Sequence, residues 1–312
     1  MAVSGIAYLG PEGTFTEAAL RAMETNGLIP PARDGGATAV TPIATDSTVG
    51  ALAAVRAGAA DFACVPIENS IDGSVSPTLD SLAAGTPLQI YAELTLDVSF
   101  TIAVRPGTDL AHVATVAAFP VAAAQVKRWL AEHLPDAQLL PANSNAAAAQ
   151  DVAAGRADAA VSTALAARHH GLDALAEGVV DEVNARTRFV LVGPPGPPPK
   201  RTGADRTSVV LRLDNVPGAL VSAMTELAVR DIDLTRIESR PTRTELGTYL
   251  FFLDFVGHID DDSVAEALRA LHRRCADVRF LGSWPTGDVA GAAPPEMDEA
   301  AAWLERLRDG TP

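Results

Sequence analysis

The stretch Val55-Arg-Ala-Gly58-Ala-Ala-Asp61-Phe-Ala-Cys-Val65 decides the fold, because it returns as Val152-Ala-Ala-Gly155-Arg-Ala-Asp158-Ala-Ala-Val161. In both, a helical segment stops at a glycine, which tolerates the left-handed backbone that ends helices. Three residues on, an aspartate opens an apolar strand. Each copy is read as part of its own α/β lobe, although chance repetition in an alanine-rich chain would look the same. The strands end in small polar residues, Glu68-Asn69-Ser70 in the first and Ser162-Thr163 in the second. Ligands of open α/β sheets bind beyond the carboxyl ends of strands, so the two sets are expected to face one cleft.

Working outward, short apolar runs alternate with alanine-rich helical segments throughout residues 1 to 193, the pattern of a parallel sheet covered by helices. A first strand is predicted at Ile6 to Leu9 and a helix after the turn Gly10-Pro-Glu-Gly-Thr-Phe-Thr-Glu17, where Thr14 and Glu17 have capping-box spacing. A helix over Val49 to Ala57, a strand over Phe62 to Pro66 and a helix over Val121 to Glu132 follow. Gly193-Pro-Pro-Gly-Pro-Pro-Pro-Lys-Arg-Thr-Gly203 has too few backbone donors for helix or sheet and reads as an extended linker.

Beyond it the pattern changes: strand Ser208 to Leu213, helix Gly218 to Val229, strands Leu234 to Arg240 and Tyr249 to Val256, helix Ser263 to Arg273, strand Val278 to Leu281. That order, βαββαβ, predicts a ferredoxin-like sandwich with edges suited to a second copy. Gly287 to Pro295 is a soft boundary, and Met297 to Leu307 reads as a short amphipathic helix. The expected division is therefore residues 1 to 193 with a second lobe at about 97 to 180, a linker at 194 to 206, the sandwich at 207 to 284 and a tail at 285 to 312.

The chain has 312 residues, 48% of them hydrophobic and 20% charged, enough to bury a large core in more than one domain. A net charge of -15 repels polyanions and argues against nucleic-acid binding. Cys64 and Cys275 form no CxxC pair, and His169-His170 are adjacent rather than three or four apart, so no disulfide framework or metal site is expected. No targeting segment or apolar run of about 18 residues is read, which predicts a cytoplasmic protein without membrane partners. Neither GKT/GKS nor GxGxxG after a strand occurs, so no cofactor is expected.

Three segments carry candidate chemistry. In Val65-Pro-Ile-Glu-Asn-Ser-Ile-Asp-Gly-Ser-Val75 an apolar strand runs into Glu68, Asn69 and Ser70, then Gly73 and Ser74; a plain turn would use the same residues. Asn184-Ala-Arg-Thr-Arg-Phe189 places Arg186 and Arg188 around Thr187. In a regular strand Thr187 and Phe189 share one face and the arginines the other; an irregular strand would let Arg188 and Thr187 meet one anion, and an exposed basic edge is the alternative. In Asp214-Asn-Val-Pro-Gly-Ala-Leu220, taken with Ile237-Glu-Ser-Arg-Pro241, the Pro-Gly pair opens a helix whose free N–H groups suit a carboxylate.

Together these residues resemble a known family. Gly10-Pro-Glu-Gly-Thr-Phe-Thr, the Val65 to Val75 segment with Thr78-Leu-Asp80, and Thr187-Arg-Phe189 closely resemble, in order and spacing, the signatures of prephenate dehydratases. Gly218-Ala219-Leu220 and Glu238-Ser239-Arg240-Pro241 resemble the phenylalanine-binding motifs of the ACT module that follows in that family. The resemblance implies a bilobal catalytic domain like type II periplasmic binding proteins plus a ferredoxin-like ACT domain. It implies Thr187 as the residue essential to dehydration, with Arg188, Glu68, Asn69, Ser70 and Gln125 in the catalytic cleft, Thr14, Gly73, Ser74 and Phe189 near substrate, and L-phenylalanine as effector of a homodimer or homotetramer joined by ACT modules. Two departures stand out: Ala118-Phe-Pro-Val121 replaces the usual Ser-His-Pro-Gln, and Asn184 lies three rather than two residues before Thr187.

The implied reaction expels the ring hydroxyl of prephenate as the ring carboxylate leaves as carbon dioxide. On this reading Arg188 or backbone N–H groups hold the dianion, Thr187 donates to the departing oxygen, and Glu68 or water supplies the proton; Phe119 walls off the carboxylate that leaves. Arogenate dehydration and a non-catalytic amino-acid sensor are the competing readings.

Overall fold

The computed structural model describes residues 2–31, 38–182, 184–243, 245–286 and 298–311, which form two compact units. One comprises residues 1–79 and 94–192, the other 80–93 and 193–312.

In chain order the first unit starts with β1 (Ala2–Leu9), α1 (Phe15–Thr25), β2 (Thr38–Thr45), α2 (Thr48–Arg56), β3 (Phe62–Asn69) and β4 (Gly73–Ser74). Helix α3 (Ser76–Ala83) and strand β5 (Gln89–Asp97) follow, each divided between the units. Next come β6 (Phe100–Val104), β7 (Thr115–Ala118), α4 (Pro120–Gln125), α5 (Lys127–His133), β8 (Gln138–Pro141), α6 (Asn145–Ala153), β9 (Ala159–Ser162), α7 (Ala164–His169), β10 (Asp173–Val179) and β11 (Arg186–Gly193). Two sheets result, one ordered β2-β1-β3-β11-β5 with β4 on β3, the other β10-β6-β9-β7-β8. The chain passes from the first sheet to the second after β5 and returns before β11, so each sheet is the heart of one lobe. Ile6, Leu20, Leu52 and Val65 are fully buried in one; Ile102, Val116, Val126 and Val161 are fully buried in the core of the other. Each such side chain contributes about 1.5–3 kcal/mol.

The repeated stretch is a structural repeat. Gly58 and Gly155, at φ 70° and 73°, end the turns after α2 and α6. Asp61 then accepts from the Gly5 N–H of β1 at 2.8 Å, and Asp158 from the Thr115 N–H of β7 at 2.9 Å. The strands they open, β3 and β9, run parallel to those same neighbours. In each lobe one carboxylate thus ties a new strand to the one beside it.

The sheets are mixed rather than parallel as expected. β11 runs antiparallel to β3, and β6 antiparallel to β9 and β10. Strands that follow a passage between lobes enter from the opposite end, which reverses their sense. The helix expected over Val121 to Glu132 is two, broken at Val126, whose fully buried side chain holds a non-helical φ of -125°.

The second unit contains β12 (Asp205–Arg212), α8 (Ala219–Ala228), β13 (Leu234–Pro241), β14 (Tyr249–Val256), α9 (Asp262–Arg274), β15 (Asp277–Pro285) and α10 (Asp298–Arg308). The sheet order β13-β14-β12-β15 is that of a ferredoxin-like βαββαβ sandwich. Val209, Leu211, Leu253 and Phe255 pack one face against Ala223, Leu227, Val264 and Leu271 of the helices. Alternate residues are polar: Ser208 donates to Asp254 at 2.7 Å, and Arg206 pairs with Glu93 at 2.8 Å. The proline-rich segment takes no helix or strand from 194 to 204, yet it is held in place. Tyr91 donates to the Pro194 carbonyl, His258 Nε2–H to that of Pro199, and Arg201 pairs with Asp261. Gly287 to Pro295 lies outside the described residues.

Among the described residues no helix is long and apolar enough to cross a membrane, and no three of His, Cys, Asp and Glu gather as metal ligands would. Cys64 is fully buried, which pushes its thiol up and out of the reactive range.

Candidate active site

Glu68 and Asn69 are the last residues of β3 and so lie inside a strand, where a turn was the alternative. Thr187 and Arg188 begin β11 beside them, with Thr187 opposite Asn69 and Arg188 opposite Glu68. Ser70 fastens the two strand ends: its N–H donates to the Arg186 carbonyl, its hydroxyl donates to the Asn184 carbonyl at 3.0 Å, and it accepts from the Arg186 N–H at 2.8 Å. Asn184 takes part there through its backbone.

The Asn69 side-chain amide donates to the Thr187 hydroxyl oxygen at 2.9 Å. Its orientation follows from its other end, where Oδ1 accepts the N–H groups of Ile71 and Asp72 at 2.8 and 3.0 Å. Because the amide is the donor, the Thr187 O–H proton is directed elsewhere. Arg188, 9% exposed, pairs with Glu68 at 3.1 Å. The irregularity in this ladder falls after Arg188: Phe189 lies opposite Pro66, which leaves Ile67 as an extra residue in β3. Thr187 and Arg188 therefore keep regular alternation, and their side chains leave opposite faces. Phe189, 2% exposed, is part of the core.

The bulge is held by the segment that follows. The Ile67 carbonyl accepts from the Val75 N–H at 2.9 Å, and the Pro66 carbonyl from the hydroxyl of fully buried Thr78 at 2.5 Å. Gly73 and Ser74 form β4 against Asn69 and Glu68.

Thr14 caps α1, accepting from the Glu17 N–H at 3.3 Å and donating to the Leu9 carbonyl at 2.8 Å. The Glu17 carboxylate turns to the Gly13 N–H instead of closing the expected box on Thr14. The Gly13 carbonyl accepts from the hydroxyl of Thr163, which also caps α7. The turn after β1 in one lobe and the residue after β9 in the other thus meet. Gln125 ends α4; its Oε1 is buried and has no hydrogen-bond partner among the described residues. Phe119, the residue before α4, packs partly buried on the second-lobe core.

In the second unit Gly218, at φ 81°, starts α8 with Ala219 and Leu220 in the first turn. Strand alternation on β13 sends Glu238 and Arg240 to one face and Ser239 and Ile237 to the other. Arg240 holds Asp80 with two bonds of 2.7 and 3.1 Å, and Arg243 adds a third of 2.6 Å. Thr78 and Asp80 follow the Val65 to Val75 segment, yet neither receives a role from the sequence. Thr163, read from the sequence as a polar strand end facing the cleft, is engaged with Gly13 and the start of α7.

A family model for prephenate dehydratase matches residues 6–196, and one for the ACT domain matches residues 207–273. A protein from Mycolicibacterium vanbaalenii named prephenate dehydratase is 81% identical over 310 residues, covering 99% of each chain. A crystal structure of the Arthrobacter aurescens prephenate dehydratase in complex with L-Phe superimposes with a TM-score of 0.84 at 40% identity, covering 98% of this chain and 99% of that one. GqqA, described as a novel type of quorum quenching acylase, gives 0.77 at 29% identity over 90% of this chain and 98% of its own. Two α/β lobes, a ferredoxin-like second unit and near-complete likeness along the chain agree: the chain belongs to the prephenate dehydratase family.

Proposed function

We propose that prephenate loses its ring hydroxyl at Thr187, with residues 1 to 193 as the catalytic part. The observation that carries this is the direction of the Asn69–Thr187 hydrogen bond, which leaves the threonine proton for the departing oxygen. Electrons of the C1–carboxylate bond enter the ring, carbon dioxide leaves, and the C4–oxygen bond breaks to give water and an aromatic product. Neither hydride nor carbanion is stored, so no cofactor is called for. Since a threonine hydroxyl is a weak acid, it acts as an oriented donor in a short relay fed by water, because Glu68 pairs with Arg188 on the other face of the strand pair. Arg188 sets the Glu68 carboxylate in place, and Gln125 Oε1 is a buried acceptor suited to a substrate hydroxyl. An acyl-transfer reading, suggested by the likeness to GqqA, would want a base at the threonine; an amide donor stands there instead.

Residues 207 to 284 act as the effector module, taking L-phenylalanine near the Gly218 helix start and Glu238 to Pro241, and inhibiting turnover. Exposed apolar side chains on α8, just after it and on β13, namely Val221 at 70%, Val229 at 67% and Ile237 at 48%, support pairing of two such modules in a homodimer or homotetramer. The enzyme is placed in the cytoplasm. Purified protein incubated with prephenate, and separately with arogenate, tests the substrate: phenylpyruvate formed from prephenate at the higher kcat/KM is expected, and preference for arogenate overturns it.

A further inference from the structure

Helix α3 is where the polypeptide itself crosses from one unit to the other, Ser76 to Leu79 belonging to the first and Asp80 to Ala83 to the second. At its start, buried Thr78 donates to the Pro66 carbonyl, and Val75 just before it donates to that of Ile67. Those two carbonyls belong to the bulge that immediately precedes Glu68 and Asn69. Two residues after Thr78, Asp80 is gripped by Arg240 and Arg243, and Arg279 from β15 donates to the carbonyls of Leu82, Ala84 and Gly85 at 3.1–3.3 Å. A cation at these carbonyls completes the end of the helix. The eight residues of α3 are thus held at one end by the Thr78 hydroxyl, which donates to a carbonyl of the catalytic bulge, and at the other by three arginines, one from the strand of the Glu238 to Pro241 motif.

We propose that Asp80 is the positioning residue that carries effector occupancy to the Asn69–Thr187 pair. The inference rests on the reading of L-phenylalanine as effector. A helix of two turns is stiff, so a shift of β13 that moves Arg240 moves Asp80, and with it the Thr78 hydroxyl. The bulge then changes its setting, and Asn69 no longer presents Thr187 to the leaving oxygen. A packed element with two settings turns a small displacement into a discrete change. Asp80 acts on turnover through Asn69, without touching substrate.

The experiment uses the full-length chain, with prephenate turnover followed at rising L-phenylalanine and L-phenylalanine affinity measured by calorimetry. Wild type is expected to bind L-phenylalanine and to lose activity by roughly 5- to 150-fold, the usual span of coupling between two sites. Asp80→Asn is expected to bind L-phenylalanine as wild type does and to keep its turnover at saturating effector, while Asp80→Glu, which retains the carboxylate, regains inhibition. Arg243→Gln, altering a side chain that is 70% exposed, is a mild second variant expected to weaken inhibition partly; it decides the matter should Asp80→Asn not fold. Undiminished inhibition in the folded variant overturns the proposal, as does loss of L-phenylalanine binding by Asp80→Asn, which would make Asp80 part of the binding site. If wild type itself neither binds nor responds, the effector reading fails first, and the relay with it.

Discussion

Asn69 and Thr187 lie 118 residues apart in the chain and 2.9 Å apart across two strands, joined by a bond whose donor is the amide. Replacing Asn69 by Asp reverses its direction: the carboxylate would draw the threonine proton to itself. Turnover is expected to fall roughly 10²- to 10⁴-fold with KM much less affected, as when a positioned proton donor is lost. Thr187→Val should fall equally far and Thr187→Ser recover most activity; steady-state kinetics with prephenate checks all three.

Ser70 joins the ends of β3 and β11 through both its backbone and its hydroxyl. Ser70→Ala removes two hydrogen bonds at a solvent-exposed site, at a cost of about 1 kcal/mol. In a protein of this size the melting temperature should drop by about 2–4 °C. A larger fall in kcat than in stability would follow from a loosened Thr187, and calorimetric melts beside kinetics separate the two.

Gly13 has a φ of 88°, and a Cβ there would lie 2.7 Å from the Ala166 Cβ and 2.8 Å from its Cα. Gly13→Ala therefore forces the turn after β1 away from α7 as well as straining its own backbone, costing about 1–3 kcal/mol. Adding Ala166→Gly removes one of the two clashes and should restore part of the loss. Urea unfolding of the single and double variants measures it.

Asp158 makes stability depend on pH. The Thr115 hydroxyl, at 2.7 Å, and then the backbone N–H groups of Thr115 and Ala114 hold its carboxyl below the usual carboxylate range, with Arg105 nearby adding to this. A group whose folded pKa is depressed stabilises above its unfolded pKa and loses that contribution as pH falls through the folded one. Asp158→Asn should therefore cost about 1 kcal/mol near neutrality, a modest figure for a partly exposed group. The gap to wild type should close below the ordinary aspartate range, which denaturant melts at several pH values would show.

Much of the fold is legible in the sequence because its signals are local. Gly58 and Gly155 stop helices, Asp61 and Asp158 start strands, and the βαββαβ periodicity from Ser208 onward agrees with the sheet of the second unit. What stayed hidden depends on distant parts of the chain. The antiparallel sense of β11 comes from its return out of the other lobe, which no property of Arg186 to Gly193 encodes. The break at Val126 comes from a side chain claimed by the second-lobe core, overriding a helix that propensity favours. At the site, Glu68, Asn69 and Thr187 stand in recognisable motifs, but the donor in their pairing depends on Ile71 and Asp72. The grip of Arg240 on Asp80, 160 residues away, left no local trace.

The sheet order places β11 between β3 and β5, strands that precede it by about a hundred residues of intervening lobe. During synthesis the flank of β3 must therefore wait, unpaired and open to wrong partners, until the whole second lobe has left the ribosome. Such late, long-range closure predicts slow maturation compared with a protein of local contacts. The nascent enzyme becomes competent only when its last lobe-crossing strand slots home.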